Sequence, residues 1–366
     1  MASLAYSLFI LSLFTFTLLN PVCSELDEYL FSFGDGLYDA GNAKFIYPDK
    51  YLPSYHHPYG TTFFDYPTGR FSDGRTVVDF VAENVSLPRI PPFKNKEANF
   101  TYGANFASEG ATASDSNPLI DFRSQIRDFG ELKLEWAVQL VNVTELARRL
   151  KKAVYLISFG ADDYFNYEIP SEASREQLES IVDVVLGNIS DSIKELYDFG
   201  ARKFVVENVA PLGLIPFIKQ TSDNSTLFYE LASLHAMKLP QILEKIQDGY
   251  LFPEFNYTVF NYFGIIKEII DAPGEHDFKY GDIACCGNST YRGQACGYLD
   301  CEYFVCGNKT EHLFFDGTHH TDAGNEKLAE FMWDKTSGFI SPYGVKDFFL
   351  STTTIQTLLT EATALG

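Results

Sequence analysis

Five short runs rich in Val, Ile, Tyr and Phe recur along the chain with helical patterns between them: Leu30–Phe33, Ala104–Ala107, Ala153–Phe159, Lys203–Asn208 and Thr258–Asn261. Continuous apolar runs of this length suit strands buried on both faces, which is how parallel strands sit. The segment Glu176–Phe199 shows the intervening periodicity, with Ile181, Val184, Val185, Asn188, Ile189, Ile193 and Leu196 at helical spacing and Asp and Lys opposite. Further helices are predicted over Leu119–Phe129, Val143–Lys151, Thr226–Gln247 and Ala323–Lys335. The alternation predicts an α/β fold of three layers, a doubly wound and mostly parallel central sheet with helices on both faces. No repeat, low-complexity linker or compositional break divides the 366 residues, of which 46% are hydrophobic. A single domain over residues 25–340 with a tail over 341–366 is therefore expected.

The first 24 residues carry no charged side chain, and Leu8–Leu19 is apolar enough for the core of a signal peptide. Pro21 breaks that helix, and Val22 and Ser24 fit the −3 and −1 positions of a cleavage site before Glu25. The run is short for a membrane anchor, so no span is expected in the mature chain. Eight Asn-x-Ser/Thr sequons, at Asn84, Asn99, Asn142, Asn188, Asn224, Asn256, Asn288 and Asn308, point to the secretory pathway and a glycan-bearing surface. Asn188 stands at the edge of a helical stripe, which must then reach solvent. The C-terminus is not a Lys-Asp-Glu-Leu-type signal, so extracellular residence and retention in the endoplasmic reticulum or vacuole both stay open.

Cys23 leaves with the signal peptide, and Cys285, Cys286, Cys296, Cys301 and Cys306 remain within one stretch. In an oxidising compartment they predict two local disulfides and one odd thiol, with the pairing open. A zinc knuckle would need a Cys-x-x-Cys pair or a His pair at finger spacing, and the stretch has neither. A net charge of −21 without a basic cluster disfavours nucleic acid and anionic membrane surfaces as partners.

In a doubly wound sheet the ligand crevice lies beyond the carboxyl ends of the strands. Three of the apolar runs are followed there by small or acidic residues: Gly34-Asp35-Gly36, Ser108-Glu109-Gly110 and Gly160-Ala161-Asp162-Asp163, with a late Asp316-Gly317-Thr318-His319. These segments, together with Phe33–Asn42, Pro67–Arg75, Asp79-Phe80, Tyr102–Ala111, Ala284–Gly287 and Phe314–His319, resemble in order and spacing the blocks of the plant GDSL esterase/lipase family, a branch of the SGNH hydrolase fold. The resemblance covers residues 28 to 335. It implies a flavodoxin-like arrangement, no cofactor, His319 as general base, Asp316 as its orienting acid, and Gly110 as a backbone donor to the oxyanion.

Two positions depart from that pattern. Where active members carry the nucleophilic serine this chain has Gly36, and where they carry the oxyanion-hole Asn it has Asp162. Glycine has no atom that can form an acyl-enzyme, and loss of such a nucleophile costs about 10⁶ in rate. An ionised Asp162 accepts hydrogen bonds and cannot donate to developing negative charge, a donation worth about 10²–10³. Ser32 lies within a predicted strand and Ser108 in a structural block, so neither is expected to replace the nucleophile.

Asp35, Asp39 and Asn42 are expected to brace the turn after the first strand, and Arg70, Asp73 and Arg75 to anchor a loop. His320 is expected to be a loop residue. Asp35, Asp162, Asp316 and His319 have the composition of a weak cation site, but lack tight ligand spacing, and no metal is expected. By resemblance, the loop Pro211–Pro216 commonly holds a cysteine where this chain has Leu214, which accounts for the odd thiol. The serine-less pattern resembles inactive GDSL lipase-like proteins related to myrosinase-associated proteins. It implies a binding or scaffolding factor of the plant secretory or defence system, with a protein partner or an acyl or ester ligand. Weak ester hydrolysis through water activated by His319 is the alternative.

Overall fold

The computed structural model describes residues 27–114 and 117–349. The expected signal peptide and the tail segment Ile355–Leu359 lie outside the described residues. Numbered in chain order, the strands are β1 Leu30–Gly34, β2 Gly103–Asn105, β3 Val154–Ser158, β4 Lys203–Glu207, β5 Asn256–Phe260, β6 Cys286–Gly287, β7 Phe304–Val305 and β8 Ile340–Ser341. The central sheet has the order β2-β1-β3-β4-β5-β8; β1 to β5 are parallel, and only the two-residue edge strand β8 runs antiparallel. Strands β1, β2 and β3 are buried along their whole length, as expected for the interior of a parallel sheet covered on both faces.

The helices Phe122–Leu140, Arg175–Phe199 and Ser225–Gln247 pack against one another in series, while Val77–Asn84 packs on Asp322–Trp333. Right-handed crossovers place these two groups on opposite faces of the sheet. The first helix was expected to end at Phe129, before Gly130, but it continues to Leu140. Gly130 interrupts nothing because it serves packing: a Cβ there would meet the Phe199 ring at 3.2 Å. The helix begins at Phe122 because Asp121 caps it, accepting from the Ser124 N–H at 2.7 Å.

A buried pair, Arg70 Nε to Asp79 Oδ2 at 2.7 Å and Arg70 Nη2 to Asp79 Oδ1 at 2.8 Å, fastens the loop before Val77–Asn84. The same loop reaches helix Asp322–Trp333, where Arg75 grips Asp322 and Asp73 accepts the Asp322 N–H at 2.8 Å. The helix leaving the late Asp-x-x-His segment is thus tied to the loop leaving β1. Beyond β8, Val345–Phe349 is helical with Val345, Phe348 and Phe349 buried, so this part of the tail packs on the domain. Among the described residues, no helix is long and apolar enough to cross a membrane.

Candidate functional site: an acid-rich crevice at the carboxyl ends of the strands

The strand order reverses direction of progression at β1, with β2 on one side and β3 on the other, and a crevice opens at the carboxyl ends there. Its volume is about 630 Å³, within the range of small-molecule sites. The loop after β1 brings Asp35 and Gly36, the loop after β2 brings Glu109, the turn after β3 brings Asp162, and the late loop brings Asp316 and His319. Gly110 lies one residue outside the wall that Glu109 forms. Gly160, at φ +126°, lets the chain turn from β3 toward Asp162, where a Cβ would press His235 Cε1 at 2.9 Å.

The late loop is a well-supported half. Asp316 accepts from the backbone N–H groups of Thr318 (2.9 Å) and His319 (2.8 Å) and from the Tyr59 hydroxyl (2.8 Å). It faces His319 Nδ1 at 2.9 Å, and Phe71 stacks on the imidazole with centroids 4.7 Å apart. From behind, the backbone N–H groups of Cys285 and Cys286 bond to the carbonyls of Phe314 and Phe315. Disulfides Cys285–Cys306 and Cys286–Cys296 close this brace, and Cys301 is the odd thiol, exposed. His320 is not a mere loop residue: it is buried and meets the Tyr262 hydroxyl, and burial brings its pKa down to about 3.

The opposite half is built around Gly36, which has no side chain. Gly36 is not in the left-handed region, so its backbone would accept a serine. Yet a Cβ there would lie 2.5 Å from His319 Nε2 and collide with the Glu109 carboxylate. Glu109 Oε2 stands 3.6 Å from His319 Nε2, with its carboxylate over Gly36. Its backbone is held by Asp39, whose Oδ2 accepts the Glu109 N–H at 3.0 Å while Oδ1 accepts from Gly41 and Asn42. Asn42 in turn donates to the carbonyls of Asn105 and Ala107. Ser32 and Ser108 are fully buried, their hydroxyls have no hydrogen-bond partner among the described residues, and neither residue lines the crevice.

Burial alone would strip the His319 proton, but the carboxylates of Asp316 and then Glu109 outweigh it and hold its pKa well above the usual histidine range. Asp316 is held below the usual carboxylate range: burial opposes this, and the His319 charge and hydrogen bonds prevail. On the other side burial wins. It pushes Asp35 up to about 7 against the Leu37 N–H and His319, and it raises Asp162 strongly with the help of the Asp35 and Glu109 charges. Beneath the floor, Glu207 accepts from the hydroxyls of Tyr38 (2.9 Å) and Ser158 (3.1 Å), and burial pushes it up to about 8. The carboxylates on either side favour the protonated imidazole, the form that has no free lone pair with which to take a proton from a nucleophile. Among the described residues, no three His, Cys, Asp or Glu side chains are grouped to hold a metal ion.

The sequence named Gly36, Asp162, Asp316 and His319, and the fold brings all four to one crevice. Sequence reading did not single out Glu109 as an occupant, nor Tyr59 and Phe71 as supports of the dyad. Glu109 did stand out as an acid following a strand, but its apposition to His319 depends on a contact between distant loops.

All eight sequon asparagines lie at least partly at the surface, with Asn84, Asn99, Asn142 and Asn308 exposed.

The sequence profile of GDSL-like Lipase/Acylhydrolase proteins matches residues 30–332. A GDSL lipase of Tanacetum cinerariifolium is 36% identical over 337 residues, covering 89% of this chain and 89% of that protein. GDSL esterase/lipase 1 of Arabidopsis thaliana is 37% identical, covering 87% of this chain and 89% of its own length. Inactive GDSL esterase/lipase-like protein 25 of the same plant is 34% identical, covering 95% and 81%.

Proposed function

The chain belongs to the GDSL-like lipase/acylhydrolase family, and on that premise we propose that it is a catalytically silent member that holds a ligand in its crevice without cleaving it. One observation carries this reading: the Glu109 carboxylate fills the space beside Gly36 and pairs with His319, so the position of the nucleophile is both missing and occupied. At the position where the family pattern places an amide donor to the oxyanion, Asp162 puts a carboxyl that can donate only while burial keeps it protonated. Of the relatives, one bears a name that calls it inactive and others are named esterases or lipases, so family membership alone is neutral between the two outcomes. The two disulfides and the sequons support a working place in the plant secretory pathway, where a binding or scaffolding role would be exercised.

The intact Asp316–His319 pair favours one other reading, residual hydrolysis by water activated at His319. Its requirement is a neutral imidazole, and the two flanking carboxylates oppose that state. Turnover of short p-nitrophenyl esters separates the readings. The silent reading expects wild-type protein and His319→Ala to match within assay error; a rate that falls on removing His319 would establish the hydrolase.

A further inference from the structure

The crevice has a second property besides the missing oxygen. Its wall carries four carboxyl groups, Asp35, Glu109, Asp162 and Asp316, against one cationic side chain, His319; among the described residues no Lys or Arg lines it. Asp316 is committed to His319, and Glu109 shares the same imidazole. Asp35 and Asp162 have no cation of their own. Asp35 is only 3% exposed, yet just one of its oxygens is used, by the Leu37 N–H at 3.1 Å, while Oδ2 has no hydrogen-bond partner among the described residues. The Asp162 carboxyl likewise makes no hydrogen bond there and has the Asp35 charge for a neighbour.

An acyl chain ending in a carboxylate, or an ester on its way to an oxyanion, would bring more negative charge to this place. A protonated amine would bring what the wall lacks. Buried charges are stable only when paired, and the free Asp35 oxygen and Asp162 offer that pairing at the floor. Aromatic rings of Tyr59, Phe71, Phe159 and Tyr262 line the same wall and favour a cation over an anion through their faces. Leucine, isoleucine and phenylalanine side chains, among them Leu212, Ile215 and Phe217, continue the lining and suit an apolar body. We propose that the crevice is a receptor for cationic amphiphiles: an ammonium head seated against Asp35 and Asp162, with an aliphatic or aromatic body along the apolar wall. The upward displacement of both acids is the response of a site with more carboxyls than it can keep charged.

This inference rests on the crevice being a binding site and does not require that it be silent. The probes are dodecylammonium, dodecanoate and dodecanol, titrated calorimetrically into the mature glycosylated protein below their micellar concentrations at about 0.15 M salt. Dodecylammonium should bind at least about tenfold tighter than dodecanoate, since like charges across a buried contact are heavily disfavoured. In Asp35→Asn/Asp162→Asn the preference should shrink to about threefold or less with dodecanol affinity retained. That variant removes little of the −21 overall charge, so a preference due to the surface field would survive it. The proposal is overturned if dodecanoate binds as tightly as the amine, if the preference persists in the double variant, or if no probe binds the wild-type protein. Should esters be cleaved while the amine preference holds, only the silent reading falls; the reverse combination removes only this one.

Discussion

The two sides of the crevice have fared differently. On the late-loop side, Asp316 accepts from two backbone N–H groups and from the Tyr59 and Thr318 hydroxyls besides the imidazole, Phe71 covers His319, and two disulfides brace the backbone behind them. On the side formed by the loops after β1, β2 and β3, the serine position is Gly36, a carboxylate stands in its space, and Asp162 faces the crevice without a hydrogen-bond partner among the described residues. On the proposed silent reading, support and chemistry are separable: the residues that hold this end of the fold together are in place, while Gly36 and Asp162 depart from the family pattern.

The largest effect should come from rebuilding the altered side. Gly36→Ser/Glu109→Ala/Asp162→Asn restores nucleophile, space and donor, and should raise kcat/KM for p-nitrophenyl butyrate by at least about 10³ over wild type. Gly36→Ser alone should gain less than about tenfold, because Glu109 still occupies the hydroxyl's place and keeps His319 charged. Equal activity of the single and triple variants would break the assignment of Glu109 as occupant.

Loosening the supported side is the next test. Cys286→Ala/Cys296→Ala opens a loop of about ten residues and should cost about 3 kcal/mol of stability by chemical denaturation. An unchanged midpoint would mean that the ribbon of β6 and β7 does not brace the dyad. Smaller still, Tyr59→Phe removes one donor from the buried Asp316 and should cost about 1–2 kcal/mol, with the His319 imidazole titration by NMR moving as its partner changes. No stability change would place the hydroxyl outside the network.

The buried acid beneath the altered side should have its own pH signature. Glu207 is raised in the folded state to about 8 from an ordinary 4.5, so between these values the folded protein binds more protons than the unfolded chain. Stability must then fall as pH rises through that interval. Asp35, raised to about 7, acts in the same sense, and His319, whose raised folded value stabilises fully below about 6.5, loses its contribution as pH climbs from there through the raised value. Across pH 6.5 to 8, Glu207→Gln should flatten the decline by about 1–2 kcal/mol, an order-of-magnitude figure from linkage. A variant whose slope matches wild type would show that Glu207 is ionised throughout.

Where the sequence could be read, the reason is local. The five parallel strands are short runs rich in apolar residues, three of them followed by small or acidic residues, and their limits differ from the structure by only a few residues. Helix Val143–Lys152 announces itself through Asn142 at its cap and basic residues in its last turn. Other features have no local cause. Strand β8 is two residues long and exists because β5 offers an edge; helices Val77–Asn84 and Tyr262–Asp271 were not read at all. Helix Phe122–Leu140 runs on past Phe129 through Gly130, whose lack of a side chain leaves room for the Phe199 ring. In the site, the Asp-x-x-His pair was legible because Asp316 and His319 are three residues apart and make their contact within one loop. Glu109 was not, because it reaches His319 from a remote part of the chain by way of Asp39 and the β1–β2 apposition.

The central claim is that no alkoxide can arise at the mouth of β1. Incubation with a fluorophosphonate, followed by intact-mass and peptide analysis, tests this directly, with the triple variant as the reactive control. The account predicts that the control is labelled on the serine introduced in place of Gly36, and that the wild-type mass is unmodified. A stoichiometric adduct on any serine of the wild-type crevice region, Ser32 and Ser108 included, would contradict it.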